Sequence, residues 1–136
     1  MGLTRLLVLA GLILYGVSGS AAQKAAEKTQ VKPETVMVTF RPKPGSEAEL
    51  ARVIEKHWAT ARRLNLILPS PHVTMRGAES GNKTYFVDVF TWRDAGIPDA
   101  APAEIRSIWD EMNRLVEARD GRPGLDFAAV DVVNSK

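Results

Sequence analysis

Hydrophobic and polar residues alternate with two different periods in the central part of the chain. Residues 35–41 (TVMVTFR) alternate β-branched and apolar side chains until Pro42, which predicts strand 1. Ser46 and Glu49 have the spacing of a capping box, and a helix is expected from there to about Leu64. Its apolar stripe, with three- and four-residue spacing, consists of Leu50, Val53, Ile54, His57, Ala61 and Leu64.

The same two periods recur in the second half of the chain. The expected segments are a proline-bounded connection at 66–71, strand 2 at 72–76, a turn at 77–82, strand 3 at 84–92, a loop at 93–101, helix 2 at 102–119, a turn at 120–124 and strand 4 at 125–133. The order strand–helix–strand–strand–helix–strand predicts an α+β fold. It is the ferredoxin-like βαββαβ plan, a four-stranded antiparallel sheet with two helices on one face.

Strand 3 is apolar on both of its faces. Tyr85, Val87 and Val89 point one way, and the side chains between them point the other way. A sheet that is covered by helices on one side and by water on the other should alternate apolar with polar residues. The second face is therefore expected to be buried against the same face of another subunit, which predicts a homodimer through the sheet face.

The first 22 residues have the organisation of a secretory signal peptide. Arg5 precedes an apolar run at 6–17, and Ser20 and Ala22 occupy the −3 and −1 positions of a small-residue end. The run of 12 residues would extend roughly 18 Å as a helix, short of a hydrocarbon core of about 30 Å. Export to the periplasm or the medium is expected, with an uncleaved N-terminal anchor as the alternative. Residues 23–34 are polar and predict a flexible linker before the domain at 35–133.

Composition narrows the classes of function. With 45% hydrophobic and 25% charged residues the chain is ordinary for a globular domain, and with no Cys it has no disulfide, thiol nucleophile or thiolate metal site. The formal net charge of +2 predicts no nucleic-acid partner, and no membrane contact is expected beyond the signal segment. Two histidines are too few for a histidine-rich metal site, so no metal and no cofactor are expected.

A family resemblance rests on strand 3 together with the order of elements. The stretch Phe86-Val87-Asp88-Val89-Phe90 before Trp92, within a two-faced sheet, resembles the dimeric α/β-barrel superfamily, notably its antibiotic-biosynthesis-monooxygenase-like branch. The resemblance covers roughly residues 35–133. It implies a dimeric α/β barrel with a ligand cavity between helices and sheet, and it matches Asp88 and Phe90 to the branch's acid-x-aromatic stretch. Members commonly carry a His in the following helix, whereas helix 2 here has none.

His57 and Asp88 are the candidate catalytic residues. His57 lies within the apolar stripe of helix 1, where an imidazole can act as a general base or hold a polar ligand group. Asp88 is the one acid on an apolar strand face and needs a partner if it is buried. A His57–Asp88 pair would orient the imidazole or serve as a structural hydrogen bond. Alternatively, Asp88 faces a second subunit and meets Arg41 or Arg76 from it.

Aromatic residues are the candidates for the lining of a ligand pocket. Ordinary core filling is the alternative for each of them. The candidates are Trp92, Trp109, Phe86, Phe90 and Trp58, the last at the rim.

Three functions follow from this sequence. The first is an exported binding protein that holds a small apolar or aromatic molecule between helices and sheet. The second is an enzyme like the cofactor-independent monooxygenases, acting on a phenol or quinol. The third is a structural or interaction module whose cavity is filled by its own side chains. An empty cavity that touches His57 and Trp92 or Trp109 would favour the first two.

Overall fold

A computed structural model describes residues 31–134, and within them strands and helices follow the predicted order. The elements are β1 (Glu34–Phe40), α1 (Glu47–Arg63), β2 (Ile67–Glu79), β3 (Lys83–Trp92), α2 (Ala103–Leu115) and β4 (Leu125–Ala129), with short 3₁₀ turns at Ser80–Asn82 and Pro98–Ala100. The expected signal peptide, at residues 1–22, and most of the expected linker lie outside the described residues. Among the described helices, none is long and apolar enough to span a membrane.

The four strands form one antiparallel sheet in the order β2-β3-β1-β4. Val38 on β1 is paired with Asp88 of β3 on one side and with Phe127 of β4 on the other. Residues that are directly paired across neighbouring strands point to the same face, so all three side chains lie on one side of the sheet. The α+β ferredoxin-like fold predicted from the sequence is thereby confirmed.

Both helices pack on that same side of the sheet. Helix α1 buries five residues of its predicted apolar stripe, and Thr60 with them, whereas Leu64 is half-buried after the end of the helix. The five are Leu50, Val53, Ile54, His57 and Ala61. Helix α2 buries Ile105, Ile108 and Met112. One core cluster forms around Phe90 and Trp92, and a second forms around Phe40 and Phe86.

No helix within residues 31–134 packs on the opposite side of the sheet. Met37, Val73 and Met75 on this side are 37%, 47% and 49% exposed. Met37 lies on β1, and Val73 and Met75 lie on β2, on either side of the central strand β3. A set of exposed apolar side chains on one face of a sheet is unusual for a surface in water.

Helix α2 is shorter than predicted. It ends at Leu115 instead of Arg119, and Val116 is already extended. The chain leaves the helix because it pairs with the segment after β1: Lys43 donates its backbone N–H to Leu115, and the N–H of Glu117 bonds to the carbonyl of Arg41. These long-range hydrogen bonds satisfy backbone groups that would have been paired within α2 if the helix had continued.

Two strand lengths also differ from prediction. Strand β2 extends from Ile67 to Glu79 instead of 72–76, with an irregularity before His72 and a cis Ser70–Pro71 bond. The hairpin turn is accordingly confined to Ser80–Asn82. Strand β4 ends at Ala129, where its pairing with β1 ends, instead of at residue 133.

The predicted capping box does not form at the start of α1. Ser46 makes no side-chain cap hydrogen bond, and its backbone angles of −96° and 1° are not extended. A capping side chain usually requires an extended backbone in order to reach the free N–H groups of the first turn.

Candidate functional site

A cavity of about 380 Å³ lies between α2 and the helix-covered side of the sheet. Strands β1, β3 and β4 form its floor, and His57 of α1 and several residues of α2 form its other walls. Its lining is mostly apolar and aromatic. The lining residues are Glu34, Val36, Val38, Phe40, His57, Asp88, Phe90, Trp92, Pro98, Asp99, Trp109, Met112, Asn113, Leu125 and Phe127.

His57 is held in the cavity wall by aromatic side chains. Its side chain comes from the buried stripe of α1, and its ring contacts those of Phe90 and Trp92 edge-on, at centroid distances of 5.5 and 5.9 Å. The indole N–H of Trp109 donates a hydrogen bond of 3.1 Å to Nε2 of His57. The two helices are therefore joined by a polar contact at the cavity.

The protonation state of His57 follows from this environment. Burial lowers the pKa of His57 to about 4, so the imidazole is neutral at pH 7. Because Nε2 accepts the hydrogen bond from Trp109, the ring proton is on Nδ1. His57 can thus offer an N–H group, while the lone pair that a general base would use is occupied by the indole.

Asp88 is buried in the cavity floor and has hydrogen-bond partners on the neighbouring strand. Its side chain is 2% exposed. The hydroxyl of Thr74 donates to Oδ1 of Asp88 at 2.7 Å, and Nε2 of His72 lies 3.2 Å from the same oxygen. Desolvation raises the pKa of Asp88, and the two neighbours on β2 lower it by a smaller amount. A carboxyl group of this kind can take up a proton from a bound molecule.

Of the alternatives left open for Asp88, a hydrogen bond to His57 is not made in this structure. Both side chains line the cavity, but Asp88 bonds to His72 and Thr74, while His57 bonds to Trp109. The strand register explains the difference. Asp88 is the direct cross-strand neighbour of Thr74, and His72 lies one pair further along the same face.

The five predicted aromatic residues divide into two groups. Trp92, Trp109 and Phe90 line the cavity, and the first two meet at nearly a right angle with ring centroids 6.3 Å apart. Phe86 is not part of the lining and packs in the second core cluster. Trp58 also lies outside the lining.

Trp58 has a different contact from the one expected of a pocket rim. Its ring stacks on His72 with a centroid distance of 3.5 Å and an interplanar angle of 8°. The guanidinium of Arg62 lies 5.6 Å from the centroid of the Trp58 ring. Trp58 therefore positions the imidazole that contacts Asp88, instead of contacting the cavity itself.

Sequence reasoning missed His72 and Thr74 as partners of Asp88. Both have the alternate spacing of strand side chains that share a face. The length of the β2–β3 hairpin was the missing information. Reasoning from the sequence also did not identify Glu34, Asp99 and Phe127, which complete the cavity lining.

Metal-binding geometry is absent among residues 31–134. No group of three or more His, Cys, Asp or Glu side chains in this range is placed to hold an ion.

Comparison with known proteins identifies the fold through structure alone. No family model and no curated protein matches the sequence. SnoaB, a cofactor-independent oxygenase from Streptomyces nogalater, superposes with a TM-score of 0.56 at 15% identity, over 76% of this chain and 95% of the other. A protein described as an antibiotic biosynthesis monooxygenase matches with a TM-score of 0.54 at 14% identity, over 76% and 100% of the chains.

A third match carries no activity in its description. Rv0793 from Mycobacterium tuberculosis superposes with a TM-score of 0.54 at 10% identity, over 76% of this chain and 98% of the other. The chain therefore shares its fold with these proteins, two of which are described as an oxygenase and a monooxygenase, and this is the fold that the sequence resemblance implied. Since fold alone does not define chemistry, the function must be argued from the cavity.

Proposed function

We propose that the protein binds a small apolar or aromatic molecule in the cavity between α2 and the sheet. The observation that carries the proposal is the cavity itself, which has a volume of about 380 Å³ and a mainly apolar and aromatic lining. Ligand sites in proteins are typically concave and apolar, with a few polar groups that fix orientation. An open cavity also argues against the third function, an interaction module filled by its own side chains.

The walls suit a flat ring. Trp92 and Trp109 stand at 87° to each other, so a ring between them can stack on one indole while meeting the edge of the other. The Nδ1–H group of His57 and the carboxyl group of Asp88 supply the polar contacts. A ligand with one polar substituent on an aromatic body satisfies both requirements.

A cofactor-independent oxygenase is the second candidate function. The fold match to SnoaB favours it, together with a buried carboxyl group whose pKa is raised. In this candidate, a phenol or quinol transfers its hydroxyl proton to Asp88, and molecular oxygen forms a bond to a carbon of the resulting electron-rich ring. One oxygen atom remains as the new carbonyl of a quinone, and the other leaves as water with the hydrogen of that ring carbon and the proton from Asp88. His57 serves as a hydrogen-bond donor to the substrate oxygen, since Trp109 occupies its Nε2.

The binding function is tested by filling the cavity. Val38 lines its floor, and Val38→Phe places a ring in the space that the ligand would use. We expect native mass spectrometry of protein from its own host to show a retained small molecule, and Val38→Phe to lose it. Val133→Phe is the matched control, because Val133 is 86% exposed and outside the lining. Equal ligand retention in both variants would contradict the proposal.

The oxygenase candidate needs a separate experiment. Hydroquinones and anthrones are incubated with the protein while an oxygen electrode records consumption. Asp88→Asn should abolish turnover if Asp88 is the base, whereas His57→Gln should slow turnover while leaving the base in place. An absence of oxygen consumption with every substrate would leave a binding protein.

Assembly and location are part of the same proposal. The exposed apolar side of the sheet, with Met37, Val73 and Met75, is proposed as the interface of a homodimer. Export to the periplasm or the medium is proposed from the signal-like residues 1–22.

A further inference from the structure

The charged residues of the cavity all have the same sign. Glu34, Asp88 and Asp99 line it, and among the described residues no Lys or Arg does so. The chain as a whole has 18 Lys and Arg against 16 Asp and Glu, so this lining does not reflect the overall composition. The remaining titratable group, His57, is neutral at pH 7 because burial lowers its pKa to about 4.

The three acids differ in depth. Asp88 is 1% exposed and lies in the floor, whereas Asp99 is exposed on the loop before α2 and Glu34 is half-buried at the start of β1. A charged molecule that enters therefore meets carboxylates both at the surface and at the bottom. An anion is repelled along the whole path, and a cation is attracted.

The aromatic walls add to this preference. The faces of indole and phenyl rings carry negative partial charge and attract cations at distances of about 6 Å or less. Trp92, Trp109 and Phe90 lie next to one another in the lining. Phe90 and Trp92 are each buried, so the part of the cavity beside them is shielded from water, which strengthens the attraction between a cation there and a carboxylate in the floor.

We propose that the ligand of this cavity is an aromatic molecule bearing a protonated amine, with the ammonium group held by the carboxylate of Asp88. This inference rests on the proposed binding function and specifies the chemical class of its ligand. The groups facing Asp88 leave room for such a partner: Thr74 and His72, both on β2, share a single oxygen, Oδ1.

The proton balance of binding follows from the state of Asp88. Burial raises the pKa of this carboxyl group in the empty protein. An incoming ammonium ion favours the carboxylate, so binding of the amine should lower this pKa. The other acids in the lining, Glu34 and Asp99, add to the attraction of a cation at the cavity mouth. On the side of His72, the positive charge of Arg62 lies over the ring of Trp58, on which His72 stacks.

Three ligands of nearly the same shape test the proposal in the full chain. Naphthylmethylamine is a cation at pH 7, naphthylmethanol is neutral, and naphthoate is an anion. Equilibrium dialysis should show the amine bound at least about tenfold more tightly than the alcohol, and the anion most weakly. The advantage of the amine over the alcohol should shrink as salt is added.

Variants locate the charge that is responsible. Asp88→Asn should remove most of the preference for the amine while the alcohol still binds, and Asp99→Asn should reduce it by a smaller factor. Asp110→Asn is the matched control, because Asp110 is exposed on α2 and outside the lining. If Asp88→Asn fails to fold, the Asp99→Asn and Glu34→Gln double variant still tests the preference.

The outcomes separate the two proposals. If the alcohol binds as tightly as the amine, the inference about the amine is wrong, but the binding function stands. If none of the three ligands binds and Val38→Phe behaves like the wild type, the binding function itself is wrong. A preference for the amine that is unchanged in Asp88→Asn would also overturn the inference.

Discussion

The indole N–H of Trp109 donates a hydrogen bond of 3.1 Å to Nε2 of His57. This contact joins the two helices across the cavity and fixes the imidazole in the tautomer that carries its proton on Nδ1. The sequence left two roles open for His57, a general base or a residue that holds a polar ligand group. The contact with Trp109 favours the second, because Nε2 is occupied and Nδ1–H can donate a hydrogen bond.

Trp109→Phe should raise the pKa of His57 above its present value of about 4. The hydrogen bond from the indole stabilises the neutral ring, and its loss leaves the Nε2 lone pair free to take up a proton. NMR titration of the His57 ring measures the change. Trp58→Phe is the matched control, since Trp58 stacks on His72 and should leave the titration of His57 unaltered.

The same histidine predicts a loss of stability in acid. Its pKa is 6.5 when unfolded and about 4 when folded, so between these values the unfolded chain binds the extra proton. Stability contributed by neutral His57 is therefore complete above pH 6.5 and falls as the pH decreases toward 4. The shift corresponds to about 3 kcal/mol of unfolding free energy.

Urea unfolding across this range checks the prediction. His57→Gln should flatten the dependence, because Gln keeps an acceptor for Trp109 and has no proton to gain. Asp88 contributes a slope of opposite sign, since its folded pKa is raised, so the difference between wild type and variant isolates His57. An unchanged slope in His57→Gln would contradict the assignment.

The order of elements could be predicted because each has a local signal. The alternation of β1 and the stripe of α1 need no information from the rest of the chain. The end of α2 could not be predicted in this way. Residues after Leu115 keep helix-compatible spacing, but they pair with Arg41 and Lys43, more than 70 residues earlier in the sequence.

The partner of Asp88 depended on one detail of the hairpin. A turn over residues 77–82 would pair Arg76 with Lys83 and would place Asp88 opposite Pro71. The shorter turn at Ser80–Asn82 instead pairs Glu79 with Lys83 and brings Thr74 opposite Asp88. Since hairpin register follows turn length, a small error in the turn assigns the wrong neighbours along the whole strand.

Glu79 is the carboxylate at the centre of a cluster of three arginines, and its replacement should destabilise the fold. Its side chain is 10% exposed. Arg41 Nε and Arg122 Nη1 each lie 3.1 Å from Oε1 of Glu79, and Arg119 Nη1 lies 3.6 Å from Oε2. Glu79→Gln leaves the buried guanidinium group of Arg41 without its counter-charge and should cost about 3 kcal/mol or more of unfolding free energy.

Glu117→Gln is the matched control for this experiment. Glu117 is 31% exposed and bonds to Arg119, which also donates to the carbonyl groups of Thr84 and Pro42. Its loss should cost less than about 1 kcal/mol. Urea unfolding of both variants at pH 7 provides the comparison, and equal costs would show that the cluster does not depend on Glu79.

Met75→Lys should convert the proposed homodimer into monomers. Met75 lies on the uncovered side of the sheet and is 49% exposed, next to other apolar side chains of β1 and β3. In a face-to-face dimer the substitution buries an unpaired charge at the interface, which costs several kcal/mol. Sedimentation velocity at micromolar concentration should show a dimer for wild type and a monomer for Met75→Lys. Val133→Lys, at an 86% exposed position beyond β4, should remain dimeric. A monomeric wild type would show that this face has another role.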